Sequence, residues 1–351
     1  MTNQKITSAG ICDEKGNGKN THGDVKSALD GVVENLQREI SDSWECAQEN
    51  IHVESTGLVL EGGGGKGAYQ IGVWKAMKER GIAKKITAVS GTSVGALNAA
   101  LFATGDLENA IKVWSNISPD MVLTPNTISD FIKRNPVIAA MVLPVVDGVF
   151  SQKGLKNLMS KNLIPDKIKK FGGPVFATCA EIGYTDVRDI FTYNTERFDI
   201  GKINGRDLLA CNPSGFNMGK IDVRDISVYD AKRFDIRKHS ETNMIDMLLA
   251  SSAIPIIFPA VDISGVKYCD GGMADNLPVT PLYEIGIKHI IVVRLNDTQS
   301  MSYSQYPNAQ ITEVIPSESL GNIISGTMNF TAEKARELIE LGYKDGLKVF
   351  R

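Results

Sequence analysis

The sequence predicts an α/β fold with a mostly parallel central sheet. Three observations point to it: two short apolar runs, a glycine-rich turn directly after each, and a helical period after both turns. With 351 residues, 42% of them hydrophobic and 23% charged, the chain can bury one large core. A strand-helix-strand crossover is almost always right-handed and joins parallel strands that are usually adjacent. Both turns are therefore expected at one edge of the sheet, where α/β proteins bind ligands.

The first turn is a glycine loop between the predicted strand Gly57–Leu60 and a helix that ends at Gly81. Its six residues are Gly62, Gly63, Gly64, Gly65, Lys66 and Gly67. Few side chains cover the backbone N–H groups of such a loop, and they lie at the positive end of the following helix. These N–H groups suit the stabilisation of an oxyanion.

Three other interpretations of this loop are weaker. A dinucleotide fingerprint would need an acidic residue after the second strand, roughly 20 residues on, and that strand ends in Val89-Ser90-Gly91. A P-loop would need serine or threonine after Lys66 and a glycine at Leu60. A simple tight turn does not require four consecutive glycines, which lose much conformational entropy on folding.

The second turn, Gly91 to Gly95, follows the predicted strand Ile86–Val89 and leads into an alanine-rich helix. It fits G-x-S-x-G, a nucleophile elbow in which a strained strand-to-helix bend exposes the serine hydroxyl. Gly91 and Gly95 leave room for the bend, because a Cβ at either position would press on neighbouring backbone. Ser93 is therefore the predicted nucleophile.

A serine nucleophile needs a base, and Asp270 is the main candidate. It ends the predicted strand Val266–Cys269, and Gly271 and Gly272 behind it allow close approach to other groups. A carboxylate in a partly dry site can take the hydroxyl proton directly. His289 keeps the chain order Ser, Asp, His and stays an alternative base. The other histidines are His22, His52 and His239, and none of the four lies where an α/β-hydrolase places its base.

The domain organisation is predicted from the composition and from the spacing of apolar residues along the chain. Residues 1–23 are polar, lack the apolar core of a signal peptide and are expected to be disordered. Apolar residues at three- and four-residue steps predict a helical extension over 24–53, which packs on the domain or serves dimerisation or regulation. Residues 54–351 form the main domain, with an insertion at about 194–242 and an amphipathic helix at about 331–347 covering one face of the sheet.

Two stretches bear on lipid contact. The apolar stretch 137–150 is too short and too broken to span a bilayer, and forms either a core helix or the wall of an acyl-chain channel. The run 152–170 holds six lysines against one acid, which is typical of a solvated face but can also attract anionic head groups. The chain is therefore expected not to be integral to a membrane.

Charge and cysteine content narrow the class of protein. A net charge of -3 and a pI near 5.9 argue against nucleic-acid binding. The five cysteines are odd in number and scattered, which indicates neither a disulfide framework nor a zinc site. We expect a reducing, cytoplasmic compartment.

Four segments resemble the ordered signatures of the patatin-like phospholipase family. They are the Gly62–Gly67 loop, the Gly91–Gly95 elbow, the run Ala250-Ser251-Ser252-Ala253-Ile254-Pro255, and Asp270-Gly271-Gly272 followed by Asn276-Leu277-Pro278. Each motif alone is weak, but all four in this order over roughly Thr56 to Arg294 are specific. The resemblance implies a three-layer α/β/α fold with a mostly parallel central sheet.

The resemblance also implies a Ser-Asp dyad, which falls on Ser93 and Asp270, and an oxyanion hole on the Gly62–Gly67 loop. It implies hydrolysis of lipid acyl esters, of phospholipase A or lysophospholipase type, without a metal or other cofactor. The expected substrates are phospholipids or lysophospholipids, met at the membrane surface. The N-terminal extension and the 194–242 segment depart from the family pattern and leave head-group choice and regulation open.

Other functions and partners remain to be separated. One alternative is a soluble α/β-hydrolase-type esterase that uses His289, and another is a module that binds a lipid or nucleotide without turning it over. A homo-oligomer or a regulatory partner could contact the chain through residues 24–50 or 194–242.

Overall fold

A computed structural model describes residues 55–125, 148–182, 229–295 and 302–351. The predictions for residues 1–23, 24–53 and 194–228, and for the apolar stretch up to residue 147, lie outside these described residues.

Ten strands are described. In chain order they are β1 (Thr56–Leu60), β2 (Ile86–Thr92), β3 (Thr124–Pro125), β4 (Phe150–Ser151), β5 (Val175–Ile182), β6 (Tyr229–Asp235), β7 (Val261–Ile263), β8 (Val266–Asp270), β9 (His289–Val293) and β10 (Gln310–Val314).

The described α-helices are α1 (Ala68–Glu79), α2 (Val94–Ala103), α3 (Leu107–Ser115), α4 (Pro119–Val122), α5 (Lys153–Asn162), α6 (Pro165–Lys169), α7 (Glu241–Ser251), α8 (Thr280–Glu284) and α9 (Ala332–Val349). Short 3-10 turns cover Gly64–Gly67, Ala83–Lys85, Ile236–Lys238 and Gly271–Met273, and one π-helical turn covers Ile323–Thr327. Within the described part of the chain, no helix combines the length and the apolar character that crossing a membrane requires.

The central sheet is mostly parallel, as the sequence predicts. Its strand order is β10-β9-β1-β2-β5-β8-β7, and β6 pairs with β5 beside this path. Along β10-β9-β1-β2-β5, each pair of neighbouring strands is parallel. Strands β6 and β8 run antiparallel to β5, and β7 runs antiparallel to β8. β3 and β4 form a separate two-stranded sheet.

Helices cover both faces of the sheet, which confirms the three-layer α/β/α fold. Side chains alternate between the faces along β1, so Leu58 and Leu60 join one hydrophobic cluster and Val59 joins another. The larger cluster includes buried residues of α1, α2, α3, α7 and α9. The smaller cluster includes Leu282 of α8 and Tyr306. A strand buried on both faces is apolar throughout, which is why β1 was recognisable in the sequence.

The sheet contains strand residues beyond those predicted from the sequence. β2 continues through Ser90 and Gly91 to Thr92, because these residues still pair with β1 or β5. β6 lies inside the segment expected to be an insertion, and all seven of its residues pair with β5. Only one residue of β6 is buried, so its polar sequence lacks the apolar signal of a core strand.

The C-terminal helix α9 packs very closely on α1. A Cβ added at Gly72 would collide with the carbonyl oxygen of Ile339, and one added at Gly342 would collide with that of Tyr69. The Tyr69 hydroxyl also donates a hydrogen bond to Asp345 Oδ2 at 3.2 Å. Helix α1 directly follows the glycine loop, so α9 supports the element that carries this loop.

Candidate active site

The two glycine-rich turns lie side by side at the carboxyl ends of β1 and β2. The strands pair in parallel, with Leu60 opposite Gly91 at their ends. A Cβ added at Gly62 would lie 3.3 Å from the Cβ of Ser93. The adjacent parallel strands expected from the sequence are therefore present, and they bring the loop to the serine.

Ser93 occupies a strained backbone conformation between β2 and α2. Its φ of 55° and ψ of -128° are rarely adopted by residues other than glycine. Its carbonyl oxygen accepts hydrogen bonds from the N–H groups of Ala96 at 2.9 Å and Leu97 at 3.2 Å. A Cβ at Gly91 would collide with the carbonyl of Gly95, and a Cβ at Gly95 with that of Leu60. These contacts explain the glycines on either side of the serine.

The backbone N–H of Ser93 donates to the Ser251 hydroxyl at 2.9 Å. Ser251 is the last residue of α7 and is completely buried. Its hydroxyl donates in turn to the carbonyl oxygen of Thr178 in β5 at 2.6 Å. The sequence predicts no role for Ser251, although the run from Ala250 to Pro255 that contains it is one of the four motifs that resemble the family.

Asp270 ends β8 and is only 6% exposed. Its backbone N–H donates to the carbonyl of Ala253 at 2.9 Å, and its Oδ1 accepts the N–H of Gly272 at 2.7 Å. Burial raises the pKa of the Asp270 carboxyl from 3.8 to about 6, against the opposing effect of hydrogen bonding from the Ser93 side chain and the Gly272 backbone. The carboxylate is therefore a stronger base than an exposed aspartate.

The Ser93 side chain lies close enough to lower the pKa of Asp270 by hydrogen bonding. Even so, the Oδ2 atom of Asp270 is buried and has no formed hydrogen-bond partner among the described residues. The two side chains are thus close, but the geometry of a standard hydrogen bond between them is not met. Catalytic hydrogen bonds are often long in ligand-free sites and shorten when substrate binds.

The glycine loop is joined to the segment that follows Asp270. The Gly62 N–H donates to the carbonyl of Asn276 at 3.1 Å, and the Asn276 side-chain amide donates to the carbonyl of Gly62 at 3.3 Å. In the described part of the chain, the N–H groups of Gly63, Gly64 and Gly65 donate to no protein acceptor. These three amides remain available for a ligand.

A buried ion pair supports the start of the loop. Arg294 Nε donates to Glu61 Oε2 at 3.2 Å, and Arg294 Nη1 donates to Glu313 Oε1 at 2.9 Å. The backbone N–H of Leu295 also donates to Glu61 Oε2. The loop is thereby tied to the ends of β9 and β10. None of these charged side chains was singled out from the sequence, because their partners lie far apart along the chain.

An apolar cavity leads away from Ser93 and Gly64. Including its open mouth, the empty space is about 730 Å³. Its apolar lining consists of Val94, Leu97, Leu101, Val113, Trp114, Ile117, Val122, Leu155, Leu158, Met159, Leu163, Ile254, Phe258 and Phe330. Asn98 also lines the cavity, but its side chain is already hydrogen-bonded to Gly67, Gln70 and Trp114.

Part of the lysine-rich run 152–170 forms this cavity. The apolar face of α5 contributes Leu155, Leu158 and Met159 to the lining. Two lysines of the run form ion pairs, Lys156 with Asp246 and Lys167 with Asp106. The run therefore combines a cavity wall with a charged outer side.

His289 is poorly placed to act as the base. It opens β9, where it pairs with Thr56 at the start of β1, whereas Val293 at the other end pairs with Leu60 beside the site. Four residues of parallel strand separate the two ends by about 13 Å. The alternative that used His289 as a catalytic base is therefore wrong in this fold. No group of three or more His, Cys, Asp or Glu side chains within the described ranges could hold a metal ion.

Comparison with known proteins identifies the family. A family model described as patatin-like phospholipase matches residues 58–283, which is well over half of the chain. The chain belongs to the patatin-like phospholipase family. The match includes the elbow, Asp270 and the glycine loop.

Individual relatives share shorter or weaker similarity. A 49-residue stretch, 14% of this chain and 3% of the relative, is 55% identical to "Lysophospholipase nte1" of Aspergillus terreus. An uncharacterized NTE family protein of Mycobacterium bovis is 25% identical over 285 residues, which cover 81% of this chain and 59% of the relative. The chain thus spans less than two thirds of either relative.

Two solved structures show distant likeness. VipD from Legionella pneumophila aligns with a TM-score of 0.38 at 12% identity, over 85% of this chain and 67% of its own. The type III effector protein ExoU aligns with a TM-score of 0.40 at 16% identity, over 85% of this chain and 53% of its own.

Proposed function

We propose that the protein is a lipid acyl hydrolase of phospholipase A or lysophospholipase type, with Ser93 as nucleophile and Asp270 as base. One observation carries the proposal: a strained serine lies beside a buried carboxyl with a raised pKa, at the mouth of an apolar cavity. A perturbed carboxyl next to a nucleophile in a cavity is typical of a catalytic site.

In the first step, Asp270 accepts the hydroxyl proton of Ser93 while Oγ attacks the ester carbonyl carbon. A base with a pKa of about 6 is mostly ionised at neutral pH and remains a useful proton acceptor. The tetrahedral intermediate then breaks its bond to the alcohol oxygen. Asp270 returns the proton to this oxygen, and the lipid alcohol leaves an acyl group on Ser93.

In the second step, water releases the fatty acid. Asp270 removes a proton from water as the water oxygen attacks the acyl carbonyl. When the intermediate collapses, Ser93 Oγ leaves and takes the proton back from Asp270, which restores the starting state. The same carboxyl therefore acts as base and acid in both halves of the reaction.

The oxyanion of each intermediate is assigned to the N–H groups of Gly63, Gly64 and Gly65. Their lack of acceptors among the described residues supports this assignment, because preorganised free donors stabilise developing negative charge. Lys66 is assigned a supporting role, since its side chain packs against Gly326 in the adjoining turn.

The cavity is assigned to the acyl chain of the substrate. Its wall is almost entirely apolar, and its opening at Ser93 would place a carbonyl at the nucleophile while the chain extends inwards. The "Lysophospholipase nte1" match is consistent with this substrate class.

We further propose that the enzyme works at a lipid surface. Ile323 and Ile324 are 73% and 81% exposed, on the π-helical turn Ile323–Thr327. This turn packs on the glycine loop, since a Cβ at Gly64 would collide with the carbonyl of Thr327. Large exposed aliphatic side chains beside a catalytic loop are suited to contact with acyl chains of a membrane.

Covalent labelling separates this enzyme from a module that only binds lipid or nucleotide. A fluorophosphonate should modify Ser93 in the wild-type protein and leave Ser93→Ala unmodified, as read by peptide mass spectrometry. Lipid mass spectrometry of membranes incubated with the protein should then show fatty acid release together with the matching lyso-lipid or head-group alcohol. An unlabelled Ser93 and an unchanged lipid profile would reject the hydrolase.

A further inference from the structure

We infer that Ser251 is a positioning residue that fixes the backbone of Ser93 in its reactive conformation, an inference that rests on the proposed function. Ser251 does not line the cavity and is completely buried. Any effect of Ser251 on the reaction is therefore indirect.

The two partners of the Ser251 hydroxyl determine where it donates and where it accepts a hydrogen bond. A serine hydroxyl has one hydrogen to donate and two lone pairs that accept. The hydrogen is used by the Thr178 carbonyl at 2.6 Å, so a lone pair faces the Ser93 N–H at 2.9 Å. The hydroxyl is thus preoriented as an acceptor for one particular amide, although Ser251 and Ser93 are 158 positions apart.

The hydrogen bond from the Ser93 N–H to Ser251 helps to hold the strained backbone of the elbow. The Ser93 backbone has a positive φ, a strained conformation that persists only where surrounding contacts impose it. Helix α2 holds the carbonyl side of Ser93 through Ala96 and Leu97. The Ser251 hydroxyl holds the amide side. Removing it leaves a buried N–H without an acceptor, and the peptide is then free to rotate.

The same short segment also holds Asp270. Two residues after Ser251, the carbonyl of Ala253 accepts the backbone N–H of Asp270 at 2.9 Å. The Thr178 carbonyl, which binds Ser251, also lies against Gly271, where an added Cβ would collide with it. Residues 251–253 therefore connect the nucleophile to the base and set their separation.

The test compares Ser251→Ala with a matched Ser90→Ala control. Ser90 lies in β2 and is also completely buried, but its hydroxyl has no hydrogen-bond partner within the described ranges. Active sites are counted with a fluorophosphonate, so that kcat is expressed per labelled serine. A kcat expressed per labelled serine is corrected for any loss of folded protein. We expect Ser251→Ala to lower kcat roughly ten- to a hundredfold with little change in KM, and Ser90→Ala to retain wild-type kcat.

Two further readouts distinguish positioning from stability. If the Ser93 hydroxyl moves away from Asp270, a contact that lowers the carboxyl pKa is lost, so the acid limb of the kcat profile should move to higher pH. Ser251→Thr keeps the hydroxyl and should recover part of the lost kcat. The Tm of every variant is recorded, and Ser251→Thr carries the test if Ser251→Ala does not fold.

An unchanged kcat per labelled serine in Ser251→Ala would overturn the inference, as would equal rates for the alanine and threonine variants. Either result leaves the proposed hydrolase intact, provided that Ser93→Ala is inactive. Activity in Ser93→Ala would instead reject the hydrolase mechanism itself.

Discussion

Asn276 and Gly62 are joined by two hydrogen bonds of opposite direction. The Gly62 N–H donates to the Asn276 carbonyl, and the Asn276 side chain donates to the Gly62 carbonyl. The first residue of the glycine loop is therefore fixed to the segment that begins with Asp270. The N–H groups proposed to bind the oxyanion and the proposed base are therefore held by connected backbone segments.

Replacing Asn276 should weaken the connection between the glycine loop and the segment that follows Asp270. Asn276→Ala loses one side-chain hydrogen bond, worth about 1 kcal/mol, and should lower kcat about fivefold through a looser glycine loop. Asn116→Ala is a suitable control, because Asn116 makes a comparable side-chain-to-backbone bond to Lys112 at the end of α3. Steady-state kinetics on one ester substrate would check this, and equal losses in both variants would contradict it.

The raised pKa of Asp270 should govern the pH profile. Because the reaction needs the carboxylate, activity should fall as pH drops through about 6. Rates measured between pH 4 and 9, with the folded state monitored by circular dichroism, would show this limb. A profile that stays flat from pH 7 down to 4.5 would exclude Asp270 as the base.

Asp270 should also make stability depend on pH. Its pKa is higher in the folded protein than the ordinary value of 3.8, so the folded state binds more protons between pH 3.8 and 6. The free energy of unfolding should therefore decrease as pH rises through this window, by up to about 3 kcal/mol. Asp270→Asn removes this dependence. Its stability relative to wild type should be greater at pH 8 than at pH 4 in urea unfolding.

Substitution of an elbow glycine should abolish catalysis. In Gly95→Ala the new Cβ meets the Leu60 carbonyl, so the backbone must shift away from Ser93. Gly172→Ala is the matched control, because a Cβ at Gly172 meets nothing within 4 Å. We expect fluorophosphonate labelling to be lost in the first variant and retained in the second.

The exposed isoleucines provide a test of action at lipid surfaces. Ile323→Ser combined with Ile324→Ser should reduce binding to phospholipid vesicles in a flotation assay, because about 3 kcal/mol of apolar transfer free energy is removed. Hydrolysis of a short, water-soluble ester should not change. Val349→Ser removes an exposed aliphatic side chain at the end of α9 and should leave vesicle binding intact.

The elements that carry the candidate site were predictable because their signals are local. An apolar run followed by glycines specifies both a strand and the turn after it, as for β1 and the Gly62–Gly67 loop. The parallel pairing of β1 and β2 follows from the short crossover between them. Asp270 is favoured as the base by its place at a strand end before two glycines and by the lack of a suitably placed histidine, and the family resemblance implies the same Ser93–Asp270 pair.

The supporting contacts could not be predicted, since they join distant parts of the chain. Ser251 reaches Ser93 across 158 positions, and Arg294 reaches Glu61 across 233. A buried serine or arginine has no periodic pattern that names its partner. β6 was missed for a related reason: its polar residues become a strand through pairing with β5.

The close packing of α9 on α1 bears on how the protein is made. The helix that carries the glycine loop gains its partner only when residues 332–349 have left the ribosome. A partly synthesised chain therefore lacks the support for the amides that we propose to bind the oxyanion. The proposed activity should begin only after residues 332–349 have docked on α1.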